Sequence, residues 1–144
     1  MTYASLQNLT ERFEQLELVQ ITNPHDHTAQ TVNQVKVDDA LADADAVIDA
    51  KIGARYALPL ATVPRVLRNI ACDLARARLY EDRITDHVLK REEAAMKLLD
   101  EIRDGKVTLG LDLVGQPAAA AQGGPQFTEP NRVFTRDSMS DYAP

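Results

Sequence analysis

The run His25-Asp26-His27 is the motif of the sequence that most resembles a set of metal ligands. A zinc site needs three or four ligands in a defined geometry, and two histidines at this spacing supply only part of one. The third histidine, His87, lies far along the chain in a different helical segment. Because His-x-His is common by chance, we expect a polar loop here and no bound metal.

Cys72 is the one cysteine of the sequence, so no disulfide can form within the chain. A nucleophilic thiol needs a lowered pKa and a nearby base. Arg68 and Arg76 lie one helical turn to either side, but no histidine accompanies them. The sequence also shows no glycine-rich phosphate loop, no Ser/His/Asp arrangement and no pair of catalytic carboxylates. We therefore expect a packed or subunit-facing thiol, no cofactor and no enzymatic activity.

A series of aspartates gives one predicted helix an acidic flank. The series is not a calcium loop, because it follows helical spacing and lacks the glycine turn of such loops. It is either a solvated surface or a surface that matches basic residues on a neighbouring copy, and the sequence leaves both interpretations open. Its members are Asp38, Asp39, Asp43, Asp45 and Asp49.

Four arginines follow on the next predicted helix, at Arg65, Arg68, Arg76 and Arg78. Asp73 interrupts them, no aromatic residues interleave to stack on bases, and the formal net charge of the chain is −6. We therefore do not expect them to hold nucleic acid. They form instead a candidate subunit-interface surface, in which Asp38, Asp43 and Asp49 oppose Arg65, Arg68 and Arg76.

Arg78 differs from the other arginines because it continues the apolar side of its helix, four residues after Leu74. A buried guanidinium without a partner is costly. We therefore predict that Arg78 is partly buried and paired with Asp45 or Asp49.

The C-terminal residues combine loose composition with apolar anchors. Residues 118–125 read Ala-Ala-Ala-Ala-Gln-Gly-Gly-Pro, which is typical of a linker. A merely disordered tail needs no apolar anchors, so docking of the tail on a partner is favoured over a disordered terminus. Alternation of polar and apolar residues over 132–136 suits strand addition or burial in a groove. The predicted protein-interaction residues are Phe127, Arg132, Phe134, Arg136, Met139 and Tyr142.

These residues depend on a predicted helical hairpin over residues 40–79. Pro59 disfavours helical geometry at Leu58 and is expected to stop the first helix near Arg55. Pro64 suits the first turn of the second helix, where its missing N–H would have no partner. Two helices joined by so short a connection are expected to pack on each other or on neighbouring elements. Arg55, Tyr56, Pro59 and Pro64 are therefore assigned structural roles.

Apolar spacing predicts further helices on both sides of this hairpin. Ser5 is a candidate N-cap for the first, with Asn8 at its third position, and a second ends at Thr22. Thr31 and Gln34 match a capping box for the long helix, whose predicted core stripe is Val35, Leu41, Ala44, Ile48 and Ile52.

A last helix begins at Thr85 or Asp86 and ends before Gly105. From Gly105 onward lie five of the six glycines and four of the seven prolines of the chain. We therefore expect a helical domain over residues 1–105 and an extended C-terminal arm over residues 106–144, with possible short strands at 107–109 and 111–113.

Composition supports an all-α fold, a small bundle of about five helices with an extended C-terminal arm. Apolar residues make up 44% of the sequence and aromatic residues only 5%, so aliphatic side chains must fill the core. No apolar run approaches the ~20 residues that cross a bilayer, and no signal peptide is apparent. We expect a protein made in the cytoplasm without membrane contact.

Several stretches in order resemble the Mu-like phage family of small head–tail connector, or adaptor, proteins. They begin with Tyr3-Ala4-Ser5-Leu6 and Arg12-Phe13, and continue with Ala40 to Asp49, Ala54-Arg55-Tyr56, Leu58-Pro59-Leu60, Val63-Pro64, Ile70 to Arg76 and Leu79-Tyr80. Gly105-Lys106-Val107 and Phe134-Thr135-Arg136-Asp137-Ser138 complete the pattern. The His25-Asp26-His27 loop and the alanine-rich linker do not take part in it.

The resemblance implies a structural virion protein at the head–tail joint, assembled in the bacterial cytoplasm. It implies a homo-oligomeric ring, usually dodecameric, between the portal protein and the tail-joining or stopper protein, with DNA passing through without specific binding. Two alternatives stay open. One is a tail-terminator or stopper subunit of the same joint; the other is a DNA-binding regulator that uses the hairpin as a helix-turn-helix.

Overall fold

Two antiparallel helices, α3 (Gln34–Ile52) and α4 (Arg65–Leu79), form the centre of the fold. Around them lie α1 (Leu6–Arg12), α2 (Gln15–Thr22) and α5 (Asp86–Arg103). The structure is a computed structural model that describes residues 1–80 and 84–111. Over these residues the predicted all-α class with five helices is confirmed.

The bundle has two ends that carry different features. At one end α3 finishes, α4 begins, and the N–H of Leu109 donates to Tyr56 Oη at 3.2 Å. We call this the arm end, because the chain leaves the described body there. At the opposite end α3 begins and α4 finishes, with the connection 23–33 alongside; we call it the loop end. The Lys51–Asp100 ion pair, 2.6 Å, places the last turns of α5 at the arm end.

The core is aliphatic, as the composition requires. Ile48 and Ile52 of α3, Leu67 of α4, and Leu99 and Ile102 of α5 have no exposed surface. Burying a side chain of this size is worth about 1.5–3 kcal/mol. The five positions recur at helical spacing on three different helices, so α3, α4 and α5 hold one another through a shared apolar interface.

The predicted capping box at Thr31 and Gln34 was wrong. Asn33 is the N-cap of α3, and its side-chain oxygen accepts the N–H of Lys36 at 3.4 Å. The N–H of Asn33 in turn donates to Thr22 Oγ1 at 3.2 Å, which holds the cap in place. Because α3 therefore begins at Gln34, Val37 rather than the predicted Val35 faces the core; Val35 is 70% exposed.

The connection between α3 and α4 begins earlier than predicted. α3 ends at Ile52, not near Arg55, and the N–H groups of Arg55 and Tyr56 both donate to the Ile52 carbonyl at 2.9 Å. Pro64 lies at the N-cap of α4, and its carbonyl accepts from the first turn of the helix. The Leu58–Pro59 peptide bond is cis.

The ends of α1, α2 and α5 agree with the sequence. Asn8 Oδ1 accepts the N–H of Ser5 at 3.0 Å, α2 ends at Thr22, and Thr85 is the N-cap of α5. Gly105 has φ +79°, the left-handed stop that was expected.

Residues 107–109 do not form the predicted strand. The N–H groups of Lys106 and Val107 instead donate to the Glu101 carbonyl at 2.9 and 3.2 Å. Val107, Leu109 and Leu111 then pack against the core as partly buried side chains.

Most of the predicted arm lies outside the described residues, including the linker 118–125 and every predicted anchor. The domain boundary at residue 105 therefore stays a prediction. None of the described helices is long and apolar enough to cross a membrane.

We expect Gly105→Ala to destabilise the protein by about 1–2 kcal/mol, because a left-handed backbone is costly for any residue with a Cβ. The added Cβ would also lie 1.8 Å from Arg55 Nη1, so that side chain must move. Urea unfolding followed by circular dichroism measures the loss. Gly110→Ala is the matched control, since Gly110 has φ +68° but nothing within 4 Å of the added carbon. Equal midpoints for wild type and Gly105→Ala would contradict the argument.

Candidate protein-interaction surfaces

Asp45 and Asp49 of α3 hold the N-terminal residues of the chain. The N–H of Tyr3 donates to Asp45 Oδ1 at 3.1 Å, and Tyr3 Oη donates to Asp49 Oδ1 at 2.5 Å. The amino group of Met1 lies 2.8 Å from Asp49 Oδ2. Asp45 thus accepts a hydrogen bond from Tyr3 and does not contact the predicted partner, Arg78. Asp49, a predicted interface residue, is engaged within the chain.

The predicted pairing of Arg78 with Asp45 or Asp49 was wrong. Arg78 is exposed at the loop end, where it borders a shallow depression together with Asp39 and Asp43. Because α3 and α4 are antiparallel, the end of α4 lies beside the first half of α3 rather than its second half. Apolar spacing placed Arg78 near the core stripe but could not show how α4 is aligned against α3.

Burial changes the ionisation of this N-terminal contact. Asp45 is 9% exposed, and loss of hydration raises the pKa of its carboxyl group above the usual value. The pKa of the Tyr3 hydroxyl is also raised, first by burial and then by its hydrogen bond to the Asp49 carboxylate. Tyr3 therefore stays protonated and can donate.

Arg76 is a second predicted interface residue that is engaged within the chain. Its Nε donates to Glu17 Oε1 at 2.8 Å, and Tyr80 Oη donates to the same oxygen at 2.5 Å. The guanidinium also lies over the Phe13 ring, 4.5 Å from its centroid. Only 12% of the Arg76 side chain is exposed. These contacts fix α2 and the α1–α2 connection against α4.

Asp73 of α4 forms a similar but more exposed junction. Its carboxylate lies 2.8 Å from Arg12 Nη2 of α1 and 3.5 Å from Arg91 Nη1 of α5. α4 is thereby joined by polar contacts to α1, α2 and α5, and by apolar packing to α3. The arginine-bearing helix is therefore the centre of the bundle rather than a free surface helix.

The remaining predicted interface residues are exposed and lie at opposite ends of the hairpin. Asp38 lies in the second turn of α3 at the loop end, and Asp43 lies at the middle of α3, beside the last turn of α4. Arg65 and Arg68 occupy the first turn of α4 at the arm end. At 1.5 Å per residue, α4 separates its two ends by about 20 Å. Lys36 and Arg78 offset part of the acidic charge, since they border the same depression as Asp43.

Arg55 and Tyr56, two of the predicted structural residues, lie at the arm end. Tyr56 is 2% exposed, and its hydroxyl accepts the N–H of Leu109. The Arg55 guanidinium lies 6.0 Å from the Tyr56 ring centroid and directly against Gly105. The departure of the chain from α5 is thus fixed by the connection between α3 and α4.

A cavity at the loop end was not predicted from the sequence. Its volume is about 660 Å³. Leu16 and Val19 of α2, Pro24 of the connection, and Leu79 and Tyr80 of α4 contribute to its wall. Leu16, an apolar residue of α2, is 61% exposed at this site. The sequence feature that could have indicated this cavity is Leu16, an apolar residue on the outer side of the short helix α2.

The His25-Asp26-His27 loop borders this cavity. Thr28 donates to Asp26 Oδ1 from both its N–H and its hydroxyl, at 2.9 and 2.6 Å, and these bonds lower the pKa of the Asp26 carboxyl group. Within residues 1–80 and 84–111, no three histidine, cysteine or acidic side chains are grouped as metal ligands. Cys72 is 1% exposed, and burial raises its pKa to about 11, so the thiol is packed as predicted.

Residues 3–128 match the family described as "Bacteriophage Mu, Gp36". The chain belongs to this family. It is 38% identical over 109 residues to "Mu-like prophage FluMu protein gp36" of Haemophilus influenzae, an alignment that covers 76% of each chain. It is 32% identical over 123 residues to "Gene product J" of Escherichia phage Mu, which covers 85% of each.

The predicted likeness to a Mu-like phage family is therefore confirmed, and this Gp36-family chain is a phage protein. The names of these two relatives do not state a role at the head–tail joint. The family match includes Phe127 and ends before Arg132, so five of the six predicted anchor residues lie beyond it.

We expect Asp45→Asn to gain stability relative to wild type as the pH rises. The folded-state pKa of Asp45 lies above its unfolded value, so wild type is favoured at low pH and loses this contribution as Asp45 ionises on the way to neutral pH. Asparagine keeps an oxygen for the Tyr3 N–H and carries no charge. Urea unfolding at pH 4 and pH 7 should show the stability difference moving in favour of the variant; a pH-independent difference would contradict this.

We expect Arg76→Met to destabilise the protein by about 1–3 kcal/mol, because Glu17 then loses a partner in a partly buried site. Arg68→Met is the control, being an exposed arginine of the same helix, and should stay within about 0.5 kcal/mol of wild type. Guanidinium unfolding measures both. A double variant with Glu17→Gln should lose less than the sum of the single losses, since the two side chains interact.

Proposed function

We propose that this chain is a structural subunit of the phage head–tail connector, which assembles into a homo-oligomeric ring between the portal and the tail-joining proteins. Membership of the phage Mu Gp36 family supports a role in phage morphogenesis. The observation that carries the proposal is the placement of exposed Asp38 and Asp43 at one end of the hairpin and exposed Arg65 and Arg68 at the other.

Such a placement suits a ring because a ring is built from head-to-tail contacts. Each copy must present two different surfaces, one complementary to the other. Individual exposed ion pairs are worth only about 0.2–1 kcal/mol. These charges therefore determine how two copies are oriented more than how tightly they bind. Like charges meet and repel when two copies approach with the same end foremost, whereas opposite charges meet when they approach head to tail.

The structure of α4 argues against the helix-turn-helix alternative. A recognition helix must leave one side free to enter the major groove. α4 packs against α1, α3 and α5, and more than half of its residues are buried. Arg65 and Arg78 lie about 20 Å apart along the helix axis, so they do not form one phosphate-binding patch. The net charge of −6 also disfavours duplex binding.

In this proposal the ring is a passage and carries no catalysis. The portal and a tail-joining or stopper protein are its neighbours in the virion, and twelve copies would match a portal of the usual symmetry. A net-acidic subunit repels phosphate groups, so DNA moves through the ring without being held. Phe127, Arg132, Phe134, Arg136, Met139 and Tyr142 are proposed to anchor the ring to its neighbours.

We expect the double variant Asp38→Lys, Asp43→Lys to lose ring assembly while staying folded, because its loop end then repels Arg65 and Arg68 of the next copy. Sedimentation of the full chain, alone and with purified portal, measures the assembled mass. Adding Arg65→Glu and Arg68→Glu to the same chain should restore assembly, since both surfaces are then reversed.

Glu93→Lys combined with Lys90→Glu is the control, because it exchanges exposed charges on α5 without changing either end of the hairpin. It should assemble as wild type does. Undiminished assembly of the aspartate variant would contradict the proposed interface, and a wild-type chain that stays monomeric with portal would contradict the proposed function.

A further inference from the structure

We propose that the cavity at the loop end receives residues 132–136 from the arm of a neighbouring copy. This inference rests on the proposed ring and names the contact that would hold adjacent subunits together. Three features of the described body support it: the cavity, the position of Leu111 at the arm end, and the charge of the cavity wall.

The cavity has the size and lining of a peptide-binding groove. Its volume of about 660 Å³ is room for a few side chains and lies within the range of known ligand-binding pockets. Leu16, Ile21 and Leu79 give it an apolar wall, and Leu16 is 61% exposed in the isolated chain. An apolar residue left this open next to a concave surface is a frequent sign of an interaction site.

Residues 132–136 match this wall in chemistry. They read Arg-Val-Phe-Thr-Arg, so Val133 and Phe134 are bracketed by two arginines. Asp26 is the charged member of the described cavity wall, with no lysine or arginine beside it there. Two apolar side chains can therefore enter the cavity while a flanking guanidinium meets the Asp26 carboxylate.

The chain has enough length to make the contact. Leu111 is the last described residue, and 20 residues lie between it and Arg132. Extended at about 3.3 Å per residue, that stretch spans on the order of 70 Å. This is more than twice the length of α3, about 28 Å, so the contact does not require the two bodies to touch closely.

The ends of the bundle favour a neighbouring copy over the same chain. The N–H of Leu109 is bonded to Tyr56, so the last described residues, up to Leu111, lie at the arm end. The cavity lies at the loop end, beyond Leu79 and Tyr80 of α4. In a head-to-tail arrangement the arm end of one copy adjoins the loop end of the next, so the arm meets the cavity of its neighbour first.

Cross-linking between two different single-cysteine additions tests this contact on the full chain. Gln20→Cys places a thiol on the cavity wall without removing an apolar residue, and Thr135→Cys places one beside Phe134 in the arm. The two variants are mixed, with and without purified portal, and oxidised. We expect a disulfide-linked dimer that contains one copy of each variant.

Gln7→Cys mixed with Thr135→Cys is the matched control, because Gln7 is an exposed glutamine of α1 that does not border the cavity. Wild type reports any reaction of the buried Cys72. Adding Phe134→Ala to the Thr135→Cys chain should lower the yield of the dimer about tenfold, as expected for removing an aromatic anchor.

Each outcome decides the inference. A dimer yield no higher than with Gln7→Cys, both alone and with portal, overturns it. A disulfide that forms only within a chain carrying both Gln20→Cys and Thr135→Cys also overturns it, because the arm then fills its own cavity. Sedimentation of the same mixtures distinguishes failure of the arm contact from failure of the proposed function. A ring on the portal without the cross-link overturns the arm contact but keeps the connector role. A cross-link without a ring overturns the connector role.

Discussion

Burial of aliphatic side chains between α3, α4 and α5 is the constraint on which the rest of the structure depends. The sequence has few aromatic residues, so Ile48, Leu67 and Leu99 must meet closely to exclude water. That requirement fixes the antiparallel alignment of α3 and α4. The alignment in turn decides which charged residues remain on the surface, because each helix has only one remaining side to expose.

Polar contacts then attach the shorter helices to this centre. Asp45 and Asp49 hold the N-terminal residues, and Arg76 with Glu17 holds α2. Each of these contacts engages charged side chains that, from the sequence alone, would be expected on the surface. Asp38, Asp43, Arg65 and Arg68 are among the exposed charged residues that take no part in these contacts.

Local features of the fold could be predicted from the sequence, and long-range ones could not. The Ser5 and Thr85 caps and the Gly105 stop depend on residues a few positions apart, so their chemistry is visible in the sequence. The N-cap of α3 was predicted at the wrong residue, because Asn33 is held by a hydrogen bond to Thr22 of α2 that the local sequence does not show. Arg78 was paired wrongly because the alignment of α4 against α3 is a property of the packed core. The cavity was missed for the same reason, since α2 and α4 form it together.

The difference between the two ends of the hairpin bears on how copies add to one another. Contacts between unlike ends give every assembly a direction, and each added copy repeats the same rotation relative to the last. If that rotation divides a full circle evenly the assembly closes; otherwise it continues as an open helix. If the arm joins neighbouring copies as proposed, its length would tolerate a range of rotations, and the symmetry of the portal rather than the subunit itself would set the number of copies.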